Sequence, residues 1–235
     1  MGRYQQNQHT TQTLSKIEAL AGLSEDTLIA ICEAAHFRNL KPKEILYQQG
    51  EEAHAIYVVL SGGVQLIEHT NDGKVVGLKL YSAGDLFGLL SIGGIYRHQS
   101  RVEALLPTQM MCLDRESIRH VILQHPDFAL RIIDLLIEHV HMAHSRVREM
   151  ATEQVEQRLA RALLKYGQKF GKRMNGHILI NISISQQDLA NFVGATNESV
   201  NRILKQWDQE GLVALSRLRI EILDWATLVN IAENK

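Results

Sequence analysis

The chain has 235 residues, 45% of them hydrophobic and 22% charged, with a formal net charge of −1, which fits a globular protein of one large or two medium domains. A nearly neutral chain is not a generic polyanion binder, yet from Val155 onward 11 Lys and Arg stand against 8 Asp and Glu, so nucleic-acid affinity is expected in the C-terminal third. No run of about 18 apolar residues marks a membrane span, and Cys32 and Cys112 lie far apart outside any CxxC pattern, which reads as core thiols rather than a disulfide framework or metal cluster.

The N-terminus, MGRYQQNQHTTQ, is polar and lacks the apolar stretch of a secretory signal, so a cytoplasmic protein with a disordered first dozen residues is expected. Thr13 to about Phe37 carries helical spacing and predicts a pair of small helices, the second starting at Ser24 with Glu25 and Asp26 in its first turn. From Leu40 to Arg101 short apolar runs alternate with turn residues. Tyr57–Leu60 and Val64–Ile67 flank Ser61-Gly62-Gly63, Asn71-Asp72-Gly73 precedes Val75–Leu80, and Ala83-Gly84-Asp85 makes a further turn. Strands at this spacing predict a compact antiparallel barrel or roll, resuming from Val102 to Leu113 with Met110, Met111 and Leu113 in the core.

Glu116–His120 opens a short helix and Pro126-Asp127 a long one running to about Met150. Ile133, Leu136, Val140, Ala143, Val147 and Met150 follow at spacings of three and four, the seam of a coiled coil between two copies of the chain. Gln154 ends or bends this helix, and apolar spacing restarts at Val155, Leu159, Leu163 and Leu164. A loop is expected from Gly167 to Gly176, then a short strand over 178–182.

Ser185 to Gln209 reads as two short helices at a tight turn. Ser185 with Asp188 makes a capping-box pattern, Leu189, Phe192 and Val193 supply an apolar face, and Gly194 stops the first helix. Thr196 caps the second, whose apolar Val200, Ile203 and Leu204 leave Asn197, Glu198, Ser199, Asn201, Arg202 and Lys205 mostly outward. Such a polar face suits a helix that reads the major groove of DNA. Gly211 ends it, and Leu212–Leu215 with Leu218–Leu223 reads as a two-stranded wing with Arg217 and Arg219 near its tip.

In that order these elements resemble the catabolite activator/fumarate-nitrate regulator superfamily of bacterial transcription factors, from about residue 15 to 225. The resemblance rests on Gly50, the YVVLSGGV run at 57–64, Ala83-Gly-Asp-Leu-Phe-Gly88, and GATNESVNRILKQWDQEGLV at 194–213. It implies an α+β fold: a β-roll effector-binding domain over residues 13–125, a long dimerisation helix over 126–154, and a winged helix-turn-helix DNA-binding domain over 155–235. It further implies a homodimer on double-stranded DNA with a pseudo-palindromic operator, RNA polymerase being a further candidate partner. Glu198 and Arg202 match the residues that read the half-site and Ser199 one that supports base or phosphate contact. Asn197 replaces the arginine of the catabolite activator. Arg202 can bond guanine bidentately, the alternative being a surface ion pair with Glu198 four residues earlier. Ser185, Gln186 and Lys205 are candidates for phosphate contact.

In members that bind cyclic AMP, a glutamate in a Phe-Gly-Glu-Leu-like turn takes the ribose hydroxyl, and an Arg-Ser pair takes the phosphate. Here the turn is Phe87-Gly88-Leu89-Leu90 and the later segment Arg97-His98-Gln99-Ser100-Arg101, while the two adenine-contacting hydroxyl residues align with Ala143 and His144. Leu89 has no acceptor for a ribose hydroxyl, which disfavours cyclic AMP. Arg97, His98 and Arg101 form a basic segment beside glycine amides that suits a small anion, and by resemblance cyclic di-GMP, another cyclic nucleotide and 2-oxoglutarate are candidates. Control without an effector, and a protein-interaction module on the same fold, are the alternatives. His120, His125, His139, His141 and His144 lack metal-ligand spacing and read as solvated or interface residues. No paired carboxylate, nucleophile-histidine or phosphate-loop motif marks an enzyme.

Overall fold

The structure, a computed structural model, describes residues 14–233; the expectation of disorder in the first dozen residues falls outside this range. The chain divides into two compact units. One runs up to Val64 and from Tyr81 to Ala143, and the other comprises Gln65–Leu80 and the chain from His144 onward.

Of the expected pair of small helices from Thr13, the described residues show Leu14 in helical conformation, a 3-10 turn, Glu18–Leu20, and then helix α1, Glu25–Ala34. The Ser24 hydroxyl caps α1 by accepting from the amide of Thr27, and the acidic first turn suits the helix dipole. Phe37, at the end of the expected helical stretch, instead belongs to strand β1, His36–Leu40. The roll continues with β2 (Ile45–Tyr47), β3 (Ala55–Ser61), β4 (Gly63–His69), β5 (Val75–Ser82) and β6 (Leu86–Phe87). After the short helix α2 (Leu90–Gly93) come β7 (Arg101–Ala104) and β8 (Thr108–Asp114). Two four-stranded sheets result, ordered β1-β8-β3-β6 and β2-β7-β4-β5. The Asn71-Asp72-Gly73 turn joins β4 to β5, with the Thr70 amide donating to the carbonyl of Lys74 at 2.9 Å. Met110, Met111 and Leu113 on β8 are fully buried, as a central strand covered on both faces requires.

Helix α3 (Arg115–Gln124), capped by Asp114, leads into α4, Pro126–Thr152. The proline opens α4, where its missing N–H costs nothing. Phe128, Ile132 and Leu135 face the core of the first unit. Arg131 anchors the same stretch by donating to the carbonyls of Ala19 and Glu18 at 3.1 and 2.9 Å. The other stripe of α4 is left uncovered: Ile133, Leu136, Val140 and Val147 are 51, 44, 53 and 69% exposed.

In the second unit α5, Val155–Phe170, starts at Gln154, whose amide is taken by Gln157 Oε1 at 2.9 Å. The expected loop over 167–176 is absent. Gly167 lies inside α5, where a side chain would meet the Trp225 ring 2.8 Å away, so close packing rather than chain breaking requires glycine there. The chain then makes a hairpin, β9 (Gly171–Met174) and β10 (His177–Ile180), turning at Asn175-Gly176. Helices α6 (Gln186–Val193) and α7 (Asn197–Gln209) follow, then β11 (Val213–Ser216), β12 (Arg219–Ile222) and α8 (Trp225–Glu233). The wing joins a four-stranded sheet, β11-β12-β10-β9. Its core gathers Leu159, Leu163, Tyr166, Leu189, Val200, Leu204, Trp207 and Leu228.

The last turns of α4 are bound to α5 by charge. Glu149, only 8% exposed, stands 3.5 Å from Arg146, 3.7 Å from Arg161 and 3.7 Å from Lys165. Arg161 also holds Glu153 at 2.8 Å and donates to the carbonyl of Ala232 at 2.7 Å. Burial pushes the Lys165 ammonium below its ordinary pKa, with Glu149 acting against this. A buried carboxylate matched by three cations is satisfied, whereas one left alone would cost several kcal/mol.

Candidate nucleic-acid interface and effector pocket

The α6–α7 pair is built by local chemistry at three points. The Ser185 hydroxyl accepts from the amide of Asp188 at 3.1 Å and the Asp188 carboxylate takes the Ser185 amide at 2.9 Å, the reciprocal capping box. Gly194 ends α6 at φ 65°, ψ 48°, a left-handed conformation that glycine adopts without Cβ strain. Thr196 then caps α7, its hydroxyl accepting from the amide of Ser199 at 3.2 Å.

Val200, Ile203, Leu204 and Trp207 seat α7 on the core, and the Trp207 indole donates to Glu156 Oε1 at 3.2 Å. Asn197, Glu198, Arg202 and Lys205 are all exposed on the opposite side. Among the described residues Glu198 and Arg202 form no ion pair with each other, so the guanidinium is not consumed by its neighbour one turn away. Ser199 is half-buried and engaged with the Thr196 hydroxyl at 2.9 Å. Ser185 and Gln186 are half-buried at the start of α6. Together with Asn197, Arg217 and Arg219 they line a cleft of about 410 Å³ between that helix start, α7 and the wing.

Two residues of this region carried no distinct signal in the sequence. Asn201 reads there as one more outward polar residue, yet it is half-buried on α7 and its Oδ1 is enclosed without a hydrogen-bond partner. Arg158 is buried and donates from Nε to the carbonyl of Val193 at 2.9 Å. A polar residue one turn from Asn197 could have flagged the first, but nothing in an amphipathic helix marks an arginine that turns inward.

In the roll, the residues expected to take an effector stand along a chain of rings. Phe87 stacks on Tyr57 and Tyr81 with centroids 5.2 and 4.8 Å apart, Tyr47 lies 5.9 Å from Tyr57, and His98 stacks on Tyr47 at 3.5 Å, nearly parallel. Burial and the proximity of Tyr81 and Tyr57 hold the Tyr47 phenol protonated, and burial pushes Tyr57 up to about 12. Gly88 turns beneath the carbonyl of Ala55, Leu89 packs partly buried on the core and Leu90 is exposed.

Each member of the basic segment is already engaged. Arg97 donates to the carbonyl of Gly50 at 2.8 Å, and Arg101 pairs with the buried Glu103 at 3.2 Å, which Lys43 also approaches at 3.4 Å. His98 is only 5% exposed, and burial lowers its pKa, Glu51 opposing and His54 reinforcing the shift. Its neutral form is therefore favoured, and it reads as a packed ring more than as a cation. His144 is exposed on α4. Among the described residues no cluster of three His, Cys, Asp or Glu side chains could hold a metal ion, and no helix is long and apolar enough to cross a membrane.

Comparison with known proteins agrees with this geometry. A profile of the cyclic nucleotide-binding domain matches residues 37–125 and one of the Crp-like helix-turn-helix domain matches residues 157–231. The chain is 22% identical over 213 residues to a CRP-like cAMP-activated global transcriptional regulator of Mycobacterium tuberculosis, covering 91% of this chain and 95% of that one. It is similar to the crystal structure of a CRP-family transcriptional regulator from Thermus thermophilus (TM-score 0.72, 25% identity, 83% of this chain and 96% of that one). It also shares the fold of the c-di-GMP responsive global regulator CLP of Xanthomonas campestris (TM-score 0.74, 17% identity, 86% and 100% of the two chains). With both domain profiles matched in this order, the chain belongs to the catabolite activator/fumarate-nitrate regulator superfamily, whose members here are transcription regulators and not enzymes.

Proposed function

We propose that this chain is a homodimeric, cytoplasmic regulator that binds a pseudo-palindromic DNA operator through α7 of each copy. The observation that carries the reading is the exposed pair Glu198 and Arg202 on a helix capped at Thr196, without an ion pair between them. Arg202 bonds guanine O6 and N7, and Glu198 accepts from cytosine N4. Asn197 lies on the same face and contributes to base contact, while Ser185, Gln186, Ser199 and Lys205 position the phosphate backbone.

The second copy docks along the uncovered stripe of α4, which sets two α7 helices about one DNA turn apart. In this scheme residues 13–125 form the input domain, 126–154 the dimer helix and 155–235 the output domain, with RNA polymerase as a further partner. The input is a small anion held at the roll by the segments Phe87–Leu90 and Arg97–Arg101. The match to a cyclic nucleotide-binding domain supports an effector of this class. The Mycobacterium tuberculosis relative is cAMP-activated, but Leu89 supplies no acceptor for a ribose hydroxyl, and Ala143 and His144 stand where cyclic-AMP-binding members carry the hydroxyl residues that contact adenine. Cyclic di-GMP, another cyclic nucleotide and 2-oxoglutarate therefore rank above it.

Fluorescence anisotropy on an operator selected in vitro tests this. Arg202→Ala should weaken specific binding by about 1–3 kcal/mol while leaving dimerisation intact. Titrations with cyclic di-GMP, 2-oxoglutarate and cyclic AMP identify the effector. No sequence-selective binding under any condition overturns the regulator, and binding that ignores every ligand overturns the control scheme.

A further inference from the structure

The tip of the wing has a conformation that its sequence does not favour. Strands β11 and β12 are joined by Arg217-Leu218, and Leu218 sits at φ 59°, in the left-handed region where a branched side chain is strained. Two hydrogen bonds hold the strained wing in place. The carbonyl of Leu218 accepts from the amide of Ile184 at 3.2 Å, and the amide of Leu215 donates to Asp208 Oδ1 at 3.0 Å. The tip is thus tied to the residue preceding the Ser185 cap and to the last turn of α7.

This fixed tip presents an unusual surface. Leu218 is 48% exposed, and Arg217 and Arg219 on either side are exposed too. Among the described residues neither arginine side chain has an ion pair or hydrogen bond, and no acidic residue lines the cleft they border. Two unpaired guanidinium groups around an apolar side chain fit more than a phosphate. Simple charge neutralisation would need neither the leucine nor the strained turn.

The reading of α7 as a major-groove helix supplies the partner, and the inference rests on that reading. With α7 in the major groove, a hairpin beside it meets the flanking backbone and then the minor groove, which is about 6 Å wide and narrower still over A·T tracts. Guanidinium groups favour the enhanced negative potential of a narrow minor groove, and apolar side chains can wedge between its base steps. We propose that Arg217-Leu218-Arg219 enters the minor groove flanking each half-site, so that the protein also selects A·T-like flanks outside the bases read by α7.

Inosine separates this from ordinary backbone contact, because an inosine–cytosine pair carries the minor-groove face of A·T and the major-groove face of G·C. The full-length chain would be titrated by anisotropy against duplexes with one selected half-site pair and flanks of A·T, inosine–cytosine or G·C. The expected result is that the first two bind alike and about tenfold tighter than the third. The double variant R217A/R219A should lower affinity on all three and erase the flank difference, while the ranking of half-site mutants is retained. Leu218→Gly, which relieves the strained turn and removes the wedge, should reduce the flank difference without loss of thermal stability. Inosine–cytosine flanks behaving like G·C, equal binding of all three, or a flank preference that survives R217A/R219A would each overturn the proposal while leaving half-site reading in place. Failure to discriminate half-site mutants would overturn the DNA-reading itself.

Discussion

The Nε of Arg158 donates a 2.9 Å hydrogen bond to the carbonyl of Val193, joining the first turn of α5 to the last residue of α6. Carbonyls at a helix end have no partner within the helix, and this one is buried where water cannot serve. The same guanidinium donates to the carbonyl of Glu153, so a single buried side chain fixes α6 against the junction between α4 and α5. Arg158→Met should keep the apolar stem but orphan both carbonyls, at a cost of about 2–4 kcal/mol. Urea denaturation checks this, with Arg158→Lys expected to recover part of the loss. An unchanged midpoint for Arg158→Met would show that the interaction is incidental.

Gly194 offers a second test, because two different penalties await a side chain there. Its φ of 65° disfavours L-residues other than Asn and Asp, and a Cβ would run into Met150 Cε. The methionine end is flexible and can move aside, so backbone strain should dominate. Gly194→Ala is expected to cost about 1–2 kcal/mol, and Gly194→Asn clearly less, although both add the same Cβ. Equal losses in thermal melts would assign the cost to Met150 instead.

Capping was the most legible layer of this structure, since it depends on residues three apart. Ser24, Ser185 and Thr196 each cap the helix they were expected to start. The roll, the long helix and the outward face of α7 were legible for the same reason: short-range periodicity determines which side chains face in. The failures needed contacts from distant residues. Gly167 reads as a break, yet it is glycine because Trp225 presses on its helix. His98 reads as part of a basic segment, but Tyr47 and burial make it a stacked ring. No local pattern announces a tertiary neighbour.

The uncovered stripe on α4 predicts a definite oligomeric response. Leu136 and Val140 are 44 and 53% exposed in the single chain, so replacing either with aspartate should leave the fold of each unit intact. Across a dimer seam the same carboxylate would be desolvated without a partner, at a cost of several kcal/mol. Val140→Asp should therefore sediment as a monomer at micromolar concentration and bind a full operator far more weakly, with its circular dichroism unchanged. A variant that remains dimeric would place the interface elsewhere.

The last prediction concerns acid. His98 has its pKa lowered from the ordinary 6.5, first by burial, then with Glu51 opposing and His54 reinforcing. For a histidine depressed in the folded state, the unfolded chain binds the proton more readily, so stability is present above pH 6.5 and is lost as pH falls through the folded value. His98→Phe retains the ring stacked on Tyr47 but cannot be protonated. The wild-type urea midpoint should fall more steeply than that of His98→Phe between about pH 7.5 and 5, with the difference between the two confined to pH below about 6.5. Parallel curves would mean that His98 is protonated as easily in the fold as outside it, and would restore it as a cation for an anionic effector.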